Sequence, residues 1–238
     1  MELITLLVMA ASTLLAVVSQ LLTGFGFVLV LVPLLMLVMP SVEAVVATAL
    51  VAAVLTTVLF IRDRHYVDRH AAIRLTLWGI VGLPIGIFIL NNASAEFHQW
   101  LIISVVLIAL LIVAANVSIK ANRWLTMLAG LMSGALLTST GFNGPPLVVL
   151  VRANDYSVRQ YRATMAAIFS VQGWAAVIAL VLAQKTTLYT LSLSGIGILV
   201  VPLGFVIGER LFKHIDARRL RFGITLMLLL CMGSVLMK

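Results

Sequence analysis

Charge is scarce in this sequence. Of 238 residues only 10% are Asp, Glu, Lys or Arg, while 63% are hydrophobic. A soluble domain carries about a quarter charged residues, so a water-soluble globule is excluded. Cysteine is nearly missing as well. The single Cys231 lies in an apolar stretch, which excludes a disulfide framework and a thiolate metal site and leaves a small apolar side chain. No Lys or Arg precedes the first apolar run, MELITLLVMA; a cleaved secretory signal needs a basic start, so this run is expected to stay as the first helix. Acids are missing where membrane proteins use them. Glu2, Glu43, Asp63, Asp68, Glu96, Asp155, Glu209 and Asp216 all fall at the ends of apolar stretches or between them, leaving no intramembrane carboxylate relay. His65, His70, His98 and His214 are read into loops, without ligand spacing or a neighbouring cysteine. Neither a metal centre nor a nucleophilic catalytic set can be assembled from them, so no enzyme and no cofactor are expected.

What the sequence does contain is apolar residues in membrane-sized pieces. A bilayer core about 30 Å thick takes roughly 20 apolar residues as a helix. Ten apolar segments can be drawn, at 3–22, 25–40, 43–61, 73–90, 98–117, 124–139, 142–152, 160–184, 187–208 and 220–237. Barrel strands would alternate polar and apolar over shorter windows, so the expected fold is all-α and polytopic in the membrane. The net charge of +8 sits in short clusters between the segments. That is the pattern of loops held in the cytoplasm, and no nucleic-acid partner is expected.

The segments repeat. GFGF at 24–27 aligns with GFNG at 141–144, SVEAVVAT at 41–48 with SVRQYRAT at 157–164, and GLPIG at 82–86 with VVPLG at 200–204, placing Pro84 against Pro202. One transmembrane domain then divides into a repeat at 1–118 (hairpin 3–40, helices 43–61, 73–90 and 98–117) and a repeat at 119–238 (hairpin 124–152, helices 160–184, 187–208 and 220–237). Lys and Arg near span ends mark the cytoplasmic side. The loop with Arg62, Arg64, Arg69 and Arg74 has a counterpart at 184–187 carrying only Lys185, whereas 91–99 has no Lys or Arg and its counterpart holds Arg210, Lys213, Arg218, Arg219 and Arg221. Glu43 likewise stands opposite Arg152, Arg159 and Arg162. Equivalent loops fall on opposite sides, which is the mark of inverted-topology repeats. Both termini are expected outside a bacterial inner membrane.

Segment 142–152 reaches about 17 Å as a helix, half of the hydrocarbon core. Each repeat is therefore expected to hold a broken helical hairpin plus three transmembrane helices, 8 to 10 apolar segments according to how the hairpin arms are counted. One hairpin dips in from outside and the other from inside, their tips approaching near the midplane. Irregular backbone at membrane depth survives only when buried in protein or lining a wet cavity. The tips therefore point to a binding site, formed by Thr23, Gly24, Phe25 and Gly26 on one side and Ser139, Thr140, Gly141, Asn143 and Gly144 on the other. Glycine allows the turn and a close approach, Pro145 and Pro146 suit a new helix start, and a helix N-terminus offers N–H groups to an anion. Thr56 and Gln172 coincide under the repeat, each half-way along the span after its hairpin. A buried glutamine needs a partner, either a neighbouring helix or the substrate; Gln20, one turn before the first tip, is in the same position. Arg159 and Arg162 open the span at 160–184, and Arg162, deeper by three residues, offers a planar fork to carboxylate, sulfonate or sulfite oxygens.

With the paired glycine motifs GFGFVLVLVP at 24–33 and GFNGPP at 141–146, and RQYRATMAAIF at 159–169, the chain resembles the TauE/SafE family of sulfite and organosulfonate exporters along essentially its whole length. The first motif is poorer in glycine than the family's GxGGG-like pattern. The resemblance implies a secondary transporter, an exporter of a small sulfur-containing anion such as sulfite or sulfoacetate. Alternatives from the residues are a passive anion channel, an importer of a small carboxylate or thiosulfate, and a non-transporting membrane subunit. The partners expected are the anion and the lipid bilayer, and a homodimer is compatible with these features. Routes left for coupling are Glu43, the substrate's own protonation, or a cation held by backbone carbonyls.

Overall fold

The computed structural model describes residues 2–115 and 117–214; the expected segment at 220–237, Cys231 and the C-terminus lie outside the described residues. The described residues form helices joined by short turns and loops, with no strand among them. Six helices are long and apolar enough to cross a membrane: α1 (Glu2–Thr23), α3 (Ser41–Asp63), α4 (Arg69–Asn92), α5 (Ala95–Ala114), α8 (Val158–Leu182) and α9 (Leu188–His214). Between them lie α2 (Phe27–Met36), α6 (Arg123–Thr140) and the eight-residue α7 (Gly144–Val151).

Local chemistry sets the helix starts and stops. The Asp68 carboxylate accepts from the His70 and Ala71 N–H groups, the Asn122 side chain from Leu125 N–H at 2.8 Å, and Ser157 Oγ from Gln160 N–H at 3.2 Å. Each satisfies an orphan donor of the first turn of α4, α6 or α8. At the other end, α6 stops at Gly141, whose φ of +84° is open to glycine and strained for an L side chain.

Packing is pairwise. Helix α1 lies along α9, α4 along α6, and α3 along α8. The α4·α6 seam is close enough that a Cβ at Gly134 would sit 1.8 Å from the Gly79 carbonyl oxygen, and one at Gly82 would sit 2.2 Å from that of Leu131. Small residues let helix backbones meet where apolar burial gives no preference for protein over lipid. On the α1·α9 seam, Gly197, Gly204 and Gly208 receive Met9, Val17 and Leu21.

The loop reading of the histidines needs correcting: His65 stands in the 3₁₀ turn Arg64–Tyr66, His70 in the first turn of α4 and His214 at the end of α9, and the fourth is buried as well as helical. His98 lies in the first turn of α5 and is 2% exposed, with Nδ1 at 2.8 Å from Ser41 Oγ and Nε2 bonded to the Ser139 carbonyl. Its polar sequence neighbours suggested a loop, but α5 begins at Ala95 and turns this one side chain inward.

Candidate functional site

The two hairpin turns are built alike. Thr23 Oγ1 donates to the Ser19 carbonyl at 2.9 Å and accepts from Phe25 N–H at 3.3 Å; Thr140 Oγ1 donates to Leu136 at 2.8 Å and accepts from Phe142 N–H at 3.4 Å. Gly24 and Gly141 follow, both at φ +84°, with their N–H groups closing onto Gln20 and Leu137 carbonyls at 2.8 and 3.0 Å. Gly26 and Asn143 then open α2 and α7.

The turns touch but do not meet end to end. A Cβ at Gly144 would lie 3.2 Å from the Phe25 ring, and one at Gly141 would lie 3.2 Å from Val28. Each tip thus packs against the first turn of the other hairpin's returning helix, an overlap of about one turn, or 5 Å. The first tip reaches Tyr161 and Arg162 at the start of α8; the second reaches Val45 near the start of α3 and, through Ser139, His98. The expected meeting of tips takes the form of a side-by-side overlap, and α1, with 22 residues, is long enough for about 33 Å.

What lies at the middle of α3 and α8 is a cavity of about 30 Å³, bounded by Thr48, Ala52 and Thr56 of α3, Phe169 and Gly173 of α8, and Gln20, Val28, Gly141 and Asn143 of the hairpins. That volume holds a water molecule or a comparably small group. Its polar groups are neutral. Thr48 Oγ1 is buried with no hydrogen-bond partner among the described residues. Asn143 Nδ2 donates to Gln172 Oε1 at 3.2 Å. Thr56 Oγ1 donates to the Ala52 carbonyl at 2.7 Å, leaving its oxygen as an acceptor.

A second cavity of about 20 Å³ shares the Gln20 wall and is lined by Gly24, Arg62, Asp63, Arg162 and Ala166. Gln20 braces the first tip from between the two spaces. Its Nε2 donates to the Gly24 carbonyl at 2.9 Å and its Oε1 accepts from Phe27 N–H at 3.0 Å. One N–H at the start of α2 is thereby already engaged, and Pro145 and Pro146 in the first turn of α7 have none, so the helix starts offer an anion fewer donors than expected.

Among the residues selected from sequence, Thr56, Gly141 and Asn143 line the central cavity, and Gly24 and Arg162 the basic one. Thr23, Ser139 and Thr140 turn their hydroxyls to carbonyls of their own helices, Ser139 to Ala135 at 2.7 Å. Phe25 and Gly144 form the contact between hairpins, and a Cβ at Gly26 would strike Ser19 Oγ at 2.2 Å. Gln172 is 0% exposed and fully engaged: Oε1 accepts from Ser133 and Asn143, and Nε2 donates to the Leu75 carbonyl at 3.2 Å. It ties α4, α6 and the second tip to α8 from behind the cavity wall. Thr48 was passed over, although it stands opposite Thr164 in the repeat; Thr164 Oγ1 accepts from Asp68 N–H at 3.0 Å, while Thr48 has no such partner.

The charged end of the molecule is cross-linked. Arg159 reaches Asp63 at 2.9 Å and stacks 4.0 Å over the Tyr66 ring, and Arg62 reaches Glu209 at 2.8 Å. Tyr156 OH donates to the Asp68 carboxylate. That bond, with the Ala71 and His70 N–H groups, holds the Asp68 carboxyl below its ordinary value, while burial first and then Asp68 itself push the Tyr156 phenol up and keep it protonated.

No curated protein and no solved structure matches the chain. A family does: the description "Sulfite exporter TauE/SafE" covers residues 9–235, and with multiple membrane-length apolar helices the chain belongs to that family of membrane transporters.

Proposed function

We propose that the chain exports a small sulfur-containing anion, sulfite or a short organosulfonate, and binds it at the central cavity between the hairpins, which widens from its water-sized state to admit the anion. The hydroxyl of Thr48 carries this reading: a buried donor without a partner among the described residues, in the wall of the cavity, costs stability unless something else uses it. Asn143, held in place by Gln172, supplies a second neutral donor beside it. Arg162 and Arg62 gather the anion at the charged end, and Gln20 separates that antechamber from the binding cavity.

Two inverted repeats, 1–118 and 119–238, underlie the site in this proposal. The helix pairings support it, since exchanging the halves turns α1·α9 into α6·α4 and returns α3·α8 to itself. The charged end gathers segments 62–69, 152–162 and 209, and by the distribution of Lys and Arg it is assigned to the cytoplasm.

Flux of labelled sulfite and sulfoacetate in proteoliposomes tests the proposal. Saturable flux is expected, with Thr48→Val and Asn143→Ala raising the half-saturating concentration while the protein still folds. Absence of saturable flux for any small anion removes it. The neutral lining of the cavity favours a second reading, an uncoupled anion channel; flux indifferent to imposed pH and sodium gradients selects it.

A further inference from the structure

A larger hollow lies away from the hairpins. It is a groove of about 720 Å³ between the end of α3, the 3₁₀ turn Arg64–Tyr66 and the first half of α4, floored by Ala167 and Val171 of α8. Arg64, His65 and Arg69 stand at its mouth. Below them the walls are Phe60, Ile73, Leu77 and Ile80, with Ile73 and Leu77 exposed.

The charges around the mouth are sorted. The nearby acids face elsewhere: Asp63 is bonded to Arg62 and Arg159, and Asp68 to Tyr156 and its own helix start. Neither lines the groove. Among the described residues neither Arg64 nor Arg69 forms an ion pair; Arg64 Nε donates to its neighbour His65 Nε2 at 3.4 Å. A basic mouth therefore opens onto an apolar trough. From Arg69 to Ile80 the trough runs about 16 Å along α4, half of a hydrocarbon core about 30 Å thick. The depth is that of one leaflet.

We infer that this groove is a binding site for an anionic phospholipid, its phosphate between Arg64 and Arg69 and an acyl chain along Ile73, Leu77 and Ile80. A zwitterionic lipid would fill the trough equally well but place a cationic group among the arginines. A free anion would use the mouth and leave the trough empty.

Native mass spectrometry of the full chain released from mild detergent, after equilibration with phosphatidylglycerol or phosphatidylcholine, tests the site. Phosphatidylglycerol is expected to be retained in preference. The double variant Arg64→Gln/Arg69→Gln should weaken it about thirty-fold. Leu77→Trp, which fills the trough without changing charge, should weaken it too, and Arg123→Gln, at the start of α6 and outside the groove, should not. Equal retention of phosphatidylcholine, undiminished binding in the first two variants, or displacement by inorganic phosphate at matched concentration would each overturn the assignment. So would a groove already covered by protein, seen as no lipid retained by the wild-type chain. The readout is binding alone, so it is independent of the transport proposal.

Discussion

The turn at 23–27 and the turn at 140–144 follow one backbone path, threonine folded back on its helix and then glycine at φ +84°, yet they stand in different chemical surroundings. The first is packed by Tyr161 and Arg162 and braced by Gln20; the second is packed by Val28 and Val45 and tied through Ser139 to His98. What the turn itself demands is the same in both. What surrounds it is charged at one end of the molecule and apolar or neutral at the other. In an anion exporter that difference has a direction, because attraction is useful where the anion enters and a hindrance where it must leave.

If the shared backbone is what matters most, the same substitution should damage both tips. Gly24→Val and Gly141→Val each force an L side chain into left-handed backbone, at about 1–2 kcal/mol, and each new Cβ lies about 3.2 Å from a neighbour, Tyr161 or Val28. Loss of flux and a fall in detergent unfolding temperature are expected for both. A variant tolerated at one tip and not the other would break the equivalence.

The braces should come next. Gln20→Leu strips partners from the buried Gly24 carbonyl and Phe27 N–H, whereas His98→Leu strips them from the Ser139 carbonyl, near the end of α6 where helix carbonyls lack internal partners, and from the Ser41 hydroxyl, which is only partly buried and can turn to water. At roughly 1–3 kcal/mol per stranded buried group, Gln20→Leu should destabilise more than His98→Leu. Thermal unfolding of the two variants compares them directly; the reverse order would mean that the second tip depends more heavily on its single brace.

Much of this frame was legible in the sequence, for identifiable reasons. Long apolar runs have one solution in a bilayer, and Gly24 and Gly141 stand where the chain must break, so hairpins and cavity-forming elements followed from pattern alone. Side-chain direction did not. Ser139 and Thr140 were chosen as donors, yet a hydroxyl in a helix can reach the carbonyl four residues back, and both do so. Thr48 was overlooked because nothing local separates it from Thr164; only the packing around it leaves one hydroxyl bonded and the other not. His98 was misplaced for a similar reason, since one buried side chain in an otherwise exposed first turn has no periodic signature.

Function should be less evenly shared between the tips than stability. Arg162→Gln removes a charge from the antechamber beside Gly24 and leaves the central cavity untouched. The expected result is about a tenfold fall in anion flux at low concentration, the equivalent of roughly 1.4 kcal/mol, with a smaller fall in unfolding temperature than Gly24→Val gives. The matched change at the other end, Val45→Thr, should leave flux near wild type. Equal losses would mean that Arg162 acts on the tip's structure and not on the anion.

The smallest effect belongs to the charged end that carries this asymmetry. Tyr156→Phe removes the largest of the influences that lower the Asp68 pKa. A carboxyl held low in the folded protein contributes stability above its unfolded value of 3.8 and loses it as pH falls through the folded one. The variant should therefore unfold more easily at neutral pH, by at most about 1 kcal/mol because both side chains are only partly buried. The deficit from this linkage should begin to shrink as pH falls below the unfolded pKa of 3.8 and vanish only below the lowered folded one, where Asp68 is protonated in both proteins. Unfolding temperatures measured at neutral pH and at about pH 3 decide it. A deficit that persists undiminished in acid would assign the Tyr156 hydroxyl a role in packing the segment before α8, and the charge on Asp68 would then contribute to the charged end through its cap on α4 alone.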